Sequence, residues 1–109
     1  MLMEKRKPHY DLKRVKELFN NERSRIIRDI ARQNAVSAGY AYEDEMLHVI
    51  NSLCSQHFYK SMTSEQNHRL WQDVYKFADE ERRLYIKLQL TLNMDKAVLI
   101  QFKKERGDD

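Results

Sequence analysis

Two short aromatic-rich runs, Phe58-Tyr59-Lys60-Ser61-Met62-Thr63 and Leu70-Trp71-Gln72-Asp73-Val74-Tyr75, set a lysine, a glutamine and several hydroxyls between bulky apolar residues. Farther on, Tyr85 and Lys87 alternate with the apolar row Leu84, Ile86 and Leu88, and Lys103 stands near the end of the chain. Groups of these types can break RNA without a metal ion. The ribose 2′-hydroxyl must lose its proton, the pentavalent phosphorane must be stabilised, and the leaving 5′-oxygen must gain a proton. Lysine and arginine stabilise the phosphorane. Tyrosine, lysine or histidine can move the protons, and glutamine can orient a phosphate or hydroxyl without carrying charge. Lys60, Gln72, Tyr85 and Lys103 supply such a set. Arg82, Arg83 and Lys87 could add phosphate contacts, and Trp71, Tyr59 and Tyr75 could stack unpaired bases.

Each residue also has a plainer reading. A strand lysine such as Lys60 is usually solvated, Tyr85 suits a sheet surface or edge, and Trp71 suits a core better than a base platform. Residues 79–83 are most simply a solvated loop, and Lys5-Arg6-Lys7 a solvated arm. A non-catalytic RNA- or DNA-binding regulatory module would use the same basic and aromatic groups, so composition leaves it open beside an enzyme.

Several chemistries are poorly served. His9, His48, His57 and His68 show no metal-ligand spacing, and Cys54 is the only cysteine, so no metal site and no intrachain disulfide is expected. Cys54 is expected as a small core residue near a helix end. With Gly39 and Gly107 the only glycines, no phosphate-cradling loop or nucleotide fingerprint exists, and no cofactor is expected. The formal charge of +3 and isoelectric point near 9.0 lean modestly toward a polyanionic partner. No run approaches the length of a membrane span and no apolar stretch follows the basic N-terminus, so a cytoplasmic protein without a membrane partner is expected.

The elements that must position these groups change period midway. At 109 residues the chain is expected to be a single domain, 1–109. From His9 to Asn20 the residues Leu12, Val15, Leu18 and Phe19 recur at helical spacing. A second helix is expected over 25–37, with Ile26, Ile27, Ile30 and Ala31 on one side and Gly39 closing it. A third runs over 42–54, opening on Glu43-Asp44-Glu45 and burying Met46, Leu47, Val49, Ile50 and Leu53. Residues 84–92 then alternate strictly, as a strand with one wet face does. A turn at 93–96 leads to a return strand over 98–103, and 58–62 and 70–75 are shorter strands. Residues 63–69 and 76–83 read as polar loops, and the tail from Glu105 as frayed. This is the α+β pattern, with N-terminal helices on one face of a mostly antiparallel sheet.

The chain resembles the motility quorum-sensing regulator toxins, ribonucleases of bacterial toxin–antitoxin pairs with a RelE-like fold. The likeness begins at Met3-Glu4-Lys5-Arg6 with Pro8-His9 and continues through Val15-Lys16 and Leu18. It is closest in the two aromatic blocks and His68, and resumes at Tyr85-Ile86-Lys87, Val98-Leu99-Ile100 and Phe102-Lys103. The resemblance implies a ribosome-independent, metal-independent endoribonuclease that cleaves messenger RNA, by family preference at GCU, and arrests growth. The family's catalytic lysine, glutamine and tyrosine fall on Lys60, Gln72 and Tyr85, and its assisting C-terminal lysine on Lys103. Lys87, Tyr59 and Met62 complete the RNA-binding set. Which of Lys60 and Tyr85 acts as acid and which as base stays open. A cognate antitoxin with a zinc-binding domain and a helix-turn-helix domain is implied as partner, and operator DNA is implied only through that antitoxin.

Overall fold

A computed structural model of the protein describes residues 2–80 and 82–105. In chain order it contains β1 (Glu4–Lys5), α1 (Leu12–Phe19), β2 (Arg25–Ile27), α2 (Asp29–Ser37), α3 (Glu43–Ser52), β3 (Phe58–Thr63), β4 (Trp71–Asp79), β5 (Arg82–Leu90) and β6 (Ala97–Lys104). The strands make one sheet in the order β1-β3-β4-β5-β6-β2. β3 to β6 form an antiparallel meander, β1 pairs antiparallel with β3, and β2 runs parallel to β6. The expected α+β class holds. The inward row Leu84, Ile86 and Leu88 is fully buried and shares one core with Val15, Phe19, Ala35, Met46 and Ile50 of the helices. Among the described residues no helix is long and apolar enough to cross a membrane.

α1 buries Val15, Leu18 and Phe19, and its first turn is capped by the Asp11 side chain, which accepts from the Lys13 N–H. In α3 the Glu45 carboxylate reaches back to accept the Tyr42 N–H at 3.0 Å, and the acidic first turn faces the positive end of the helix dipole. The second helix starts later than its periodicity suggests. Ile26 and Ile27 belong to β2, whose β-branched residues pair with Val98 and Leu99, and α2 begins at Asp29. Ile30 consequently faces solvent, while Ala31 and Ala35 form the buried side.

α2 ends in a Schellman turn: the Tyr40 N–H donates to the Ala35 carbonyl at 2.8 Å and the Gly39 N–H to Val36 at 3.0 Å. Gly39 holds φ at +98°, and a Cβ there would stand 2.6 Å from Nη1 of Arg82. Gly39→Ala is expected to destabilise the protein by about 1–2 kcal/mol, chiefly through left-handed backbone strain, since the arginine end can move aside. Chemical denaturation with an unchanged slope would measure it.

Residues 76–79 and 82–83 belong to strands and not to a loop. β4 continues to Asp79, a turn carrying Glu80 at φ +49° follows, and β5 already begins at Arg82. Phe77 supplies the reason: it extends the inward row of Trp71 and Tyr75, so burial carries the strand past the charged residues. The tail is also better held than expected at its start, because the Glu105 N–H donates to the Arg83 carbonyl at 2.7 Å; residues 106–109 lie outside the described residues. Cys54 is exposed rather than in the core. Leu53 takes the buried position beside it, and the Cys54 N–H donates to His57 Nδ1 at 2.9 Å.

Asp73 is a fully buried carboxylate on the helix-facing side of β4. It accepts the His9 N–H at 3.0 and 3.1 Å and the Tyr10 N–H at 2.9 Å, tying the segment before α1 to the sheet. Tyr10 packs in the same place, its hydroxyl donating to the Trp71 carbonyl at 2.7 Å, and burial pushes its phenol up to about 12.

Candidate functional site

The face of the sheet turned away from the helices carries most of the candidate residues. Strand pairing aligns Lys76 with Tyr85 and Tyr85 with Lys103 in one row. Lys60, Val74, Lys87 and Gln101 align in the next, and Met62 pairs with Gln72 in the one after. Partners opposite one another in an antiparallel sheet share a face, so all these side chains project to one side. Val74 is the buried floor between the two lysines of its row.

A register shift between Phe58 and Lys60 sets up the near edge. Phe58 turns inward and meets Tyr75 edge-on, ring centres 5.6 Å apart, while Tyr59 lies outward with Lys76 Nζ 3.9 Å above its ring. The irregularity thus leaves two consecutive side chains, Tyr59 and Lys60, on the outer face, as a bulge can do. A second shift opposite Lys87 and Leu88 makes Ile100 the extra residue of β6 and restores Leu99 to the core.

Tyr59, Lys60, Lys76, Tyr85, Lys103 and Glu105 line a recess of about 370 Å³. Tyr85 is half-buried between cations: Lys103 Nζ lies 5.2 Å and Lys87 Nζ 6.0 Å from its ring centre. Burial raises the Tyr85 phenol above the usual tyrosine range, opposed by the charges of Lys60 and Lys76, so it holds its proton at neutral pH. Lys60 donates to Glu4 at 2.8 Å, and that hydrogen bond lifts the ammonium above its ordinary range. Lys76 makes the matching bond to Glu105 at 2.8 Å, with the same consequence. Lys87 is shifted the other way, down, by burial and by the neighbouring charges of Lys103 and Lys60.

Glu4 brings a prediction of its own. The bond from Lys60 holds its carboxyl below the usual range. A depressed carboxyl contributes its pairing above the ordinary carboxylate pKa and loses it as pH falls through the folded value. The Glu4–Lys60 contact is therefore expected to persist as pH falls through the ordinary glutamate value and to open only below it. The NMR titration of Glu4 should have a midpoint under the 4.5 of an ordinary glutamate, returning upward in Lys60→Ala.

The sequence-derived residues divide between two adjoining recesses. Lys60, Tyr85, Lys103 and Tyr59 share the first. Gln72, Lys87 and Met62 line the second, of about 350 Å³, with Thr63, Gln101 and Arg28. Gln72 is largely buried and its Nε2 donates to Gln89 Oε1 at 2.9 Å. Other candidates lie elsewhere. Tyr75 is buried in the core, and burial raises its phenol far beyond the ordinary range. Trp71 packs on the core side, stacked on His9 with ring centres 5.4 Å apart and with Lys5 Nζ 4.2 Å from its ring. Of the three proposed stacking aromatics, Tyr59 is the one on the site face. Arg82 lies over the Tyr40 ring at 4.6 Å and donates to the Ala38 carbonyl, and Arg82 and Arg83 line another recess with Lys104 and Glu105. Lys76, Glu4 and Glu105 escaped the sequence reading. Lys76 was findable, because counting by two along β4 from Gln72 through Val74 reaches it.

Among the described residues no three or more His, Cys, Asp or Glu side chains gather as a metal site requires.

The family model described as motility quorum-sensing regulator, toxin of MqsA, matches residues 7–104. The chain belongs to this family. It is also 37% identical over 103 residues to the mRNA interferase toxin MqsR of Escherichia coli strain K12, a match covering 94% of this chain and 100% of that protein. The family-model match takes in β3 to β6 and therefore every member of both recesses except Glu105; it starts after β1, so Glu4 also falls outside it.

Proposed function

We propose that this protein is the toxin of a bacterial toxin–antitoxin pair and an endoribonuclease that cleaves messenger RNA, arresting growth. Membership of the family and the name of the Escherichia coli relative support the activity. The observation that carries the chemistry is the gathering of Lys60, Lys76, Lys103, Tyr59 and Tyr85 around one recess.

A phosphodiester in that recess would meet a cationic rim and the phenols of Tyr59 and Tyr85. The attacking 2′-oxygen displaces the 5′-oxygen from phosphorus, so the products are a 2′,3′-cyclic phosphate and a 5′-hydroxyl. Lys60, with its proton firmly held, stabilises charge on the non-bridging oxygens once the phosphate replaces Glu4. Tyr85 gives its proton to the leaving 5′-oxygen. The 2′-hydroxyl proton passes to solvent. Gln72 fixes the nucleotide from the neighbouring recess, Lys103 and Lys87 hold the RNA backbone, and Tyr59 and Met62 support a base. No step needs a metal ion or cofactor. The partner is a cognate antitoxin, of the zinc-binding and helix-turn-helix type that the family likeness implies, and the preferred target is GCU on the same ground.

Incubating the purified protein with a GCU-containing RNA tests this. Cyclic-phosphate ends that form equally well with and without a chelator are expected. Loss of cleavage on chelation, restored by a divalent ion, would contradict the ion-independent step. RNA recovered bound but intact would make the protein a reader instead of an enzyme.

A further inference from the structure

The second recess is built differently from the first. Its polar groups are mainly amides and hydroxyls, among them Gln72, Gln101 and Thr63, with Lys87 and Arg28 as its cations, the exposed Glu65 as its one carboxylate and Met62 as an apolar wall. Gln72 is held in place: it is 8% exposed, and its amide is tethered by the bond to Gln89, itself 8% exposed. That bond uses one Gln72 hydrogen and leaves the carbonyl oxygen without a protein donor among the described residues. Gln101 stands half-exposed opposite Lys87 at the other side of the opening.

The two recesses are in register. Tyr85 and Lys103 line the first; Lys87 and Gln101, two residues away on the same strands, line the second. Two residues of strand span about 6.6–6.8 Å, a stride comparable with that of an extended nucleotide chain. A strand whose phosphate occupies the first recess therefore delivers the adjoining base to the second.

We propose that the recess of Gln72, Gln101, Lys87, Met62 and Arg28 is a base-reading subsite for a nucleotide flanking the cut, with the carboxamides of Gln72 and Gln101 meeting the base edge. This rests on the RNA-cleaving reading above. A carboxamide presents a donor beside an acceptor and so matches a base edge that does the same. Met62 covers the base face, and Lys87 between the recesses serves the backbone. Gln89 is a positioning residue: it fixes the orientation of the Gln72 amide without touching the base.

The experiment is sequencing of the ends produced from a randomised RNA pool by the wild type, Gln101→Leu and Gln89→Leu. The wild type is expected to show base preferences around the cut, one of them at the nucleotide that this recess reads. In Gln101→Leu the ratio between best and worst base there should fall about tenfold, the lower part of the range for one bidentate contact. Gln89→Leu should loosen the same position and no other. Gln101 is half-exposed on a strand, so its replacement should fold; a thermal melt checks this, and the equal-sized Gln101→Glu, scored identically, must also alter the preference there. A wild type that cuts no RNA sinks the nuclease reading and this subsite with it. A cutting wild type whose folded variants keep its base preference, or slow all sites alike, overturns the subsite while leaving the nuclease standing.

Discussion

Replacing Tyr85 by phenylalanine is expected to lower RNA cleavage by about 10²–10⁴-fold, the usual contribution of a positioned proton donor. In free energy this is about 3–5.5 kcal/mol of transition-state stabilisation. The substitution removes one oxygen and keeps the ring, so the cationic packing of Lys103 and Lys87 against it survives. The phenol's raised pKa also sets a pH signature. A group that must be protonated to act keeps the enzyme active up to its own pKa, so the wild-type rate should show no descending limb before pH passes the ordinary tyrosine range. Were Tyr85 the base, the rate would instead climb with pH through the same interval. Lys60→Ala is expected to cost a similar factor, but for two reasons at once. It removes an ammonium and leaves the Glu4 carboxylate unpaired beside the phosphate. Adding Glu4→Gln to Lys60→Ala should recover RNA binding without recovering cleavage. Variants of Tyr85 and Lys60 that both cleave like the wild type would remove these residues from the mechanism.

The second large effect concerns stability. Asp73→Ala is expected to destabilise the fold by about 3 kcal/mol, because it strands the His9 and Tyr10 N–H groups that the carboxylate now accepts. An unsatisfied buried donor costs about 1–3 kcal/mol, and the Tyr10 bond lies in the interior. For a chain of this size the melting temperature should fall by roughly 10–20 °C. Asp73→Asn keeps an acceptor oxygen but brings an NH₂ into a place that offers two donors, so an intermediate loss is expected. Since Asp73 lies on the helix side of β4, its variants should lose melting temperature well before they lose cleavage at permissive temperature. A drop in activity with unchanged melting would contradict the structural role.

Local pattern carried much of the architecture. The alternation from Leu84 onward identified β5, its inward apolar row and its outward Tyr85 and Lys87, because strand geometry puts alternate residues on opposite faces. The spacing of Val15, Leu18 and Phe19 identified α1 for the corresponding helical reason. The same logic erred where tertiary burial outweighed local polarity. Phe77 kept β4 extended through a charged stretch, and pairing with β6 drew Ile26 and Ile27 out of an apparent helix. β1 has two residues and no period to read; it is held by pairing with Ser61 and Met62 of β3, next to a Thr63 that accepts the Met3 N–H on its hydroxyl and donates its own N–H to the Met3 carbonyl.

Residue types, alternation and family likeness were enough to name Lys60, Gln72, Tyr85 and Lys103 and to turn Tyr85 and Lys87 outward. Neighbourhood was another matter. Cross-strand register, set by hydrogen bonding and two bulges, decided that Lys76 stands beside Tyr85 and that Gln72 faces a recess adjoining that of Lys60. Chain closure brought Glu4 to Lys60 from 56 positions away and Asp73 to His9 from 64. A one-dimensional string fixes which groups are present and, through its period, which side of an element they take. Distances between elements, and the proton affinities that depend on burial and on neighbouring charge, arise only when the sheet closes.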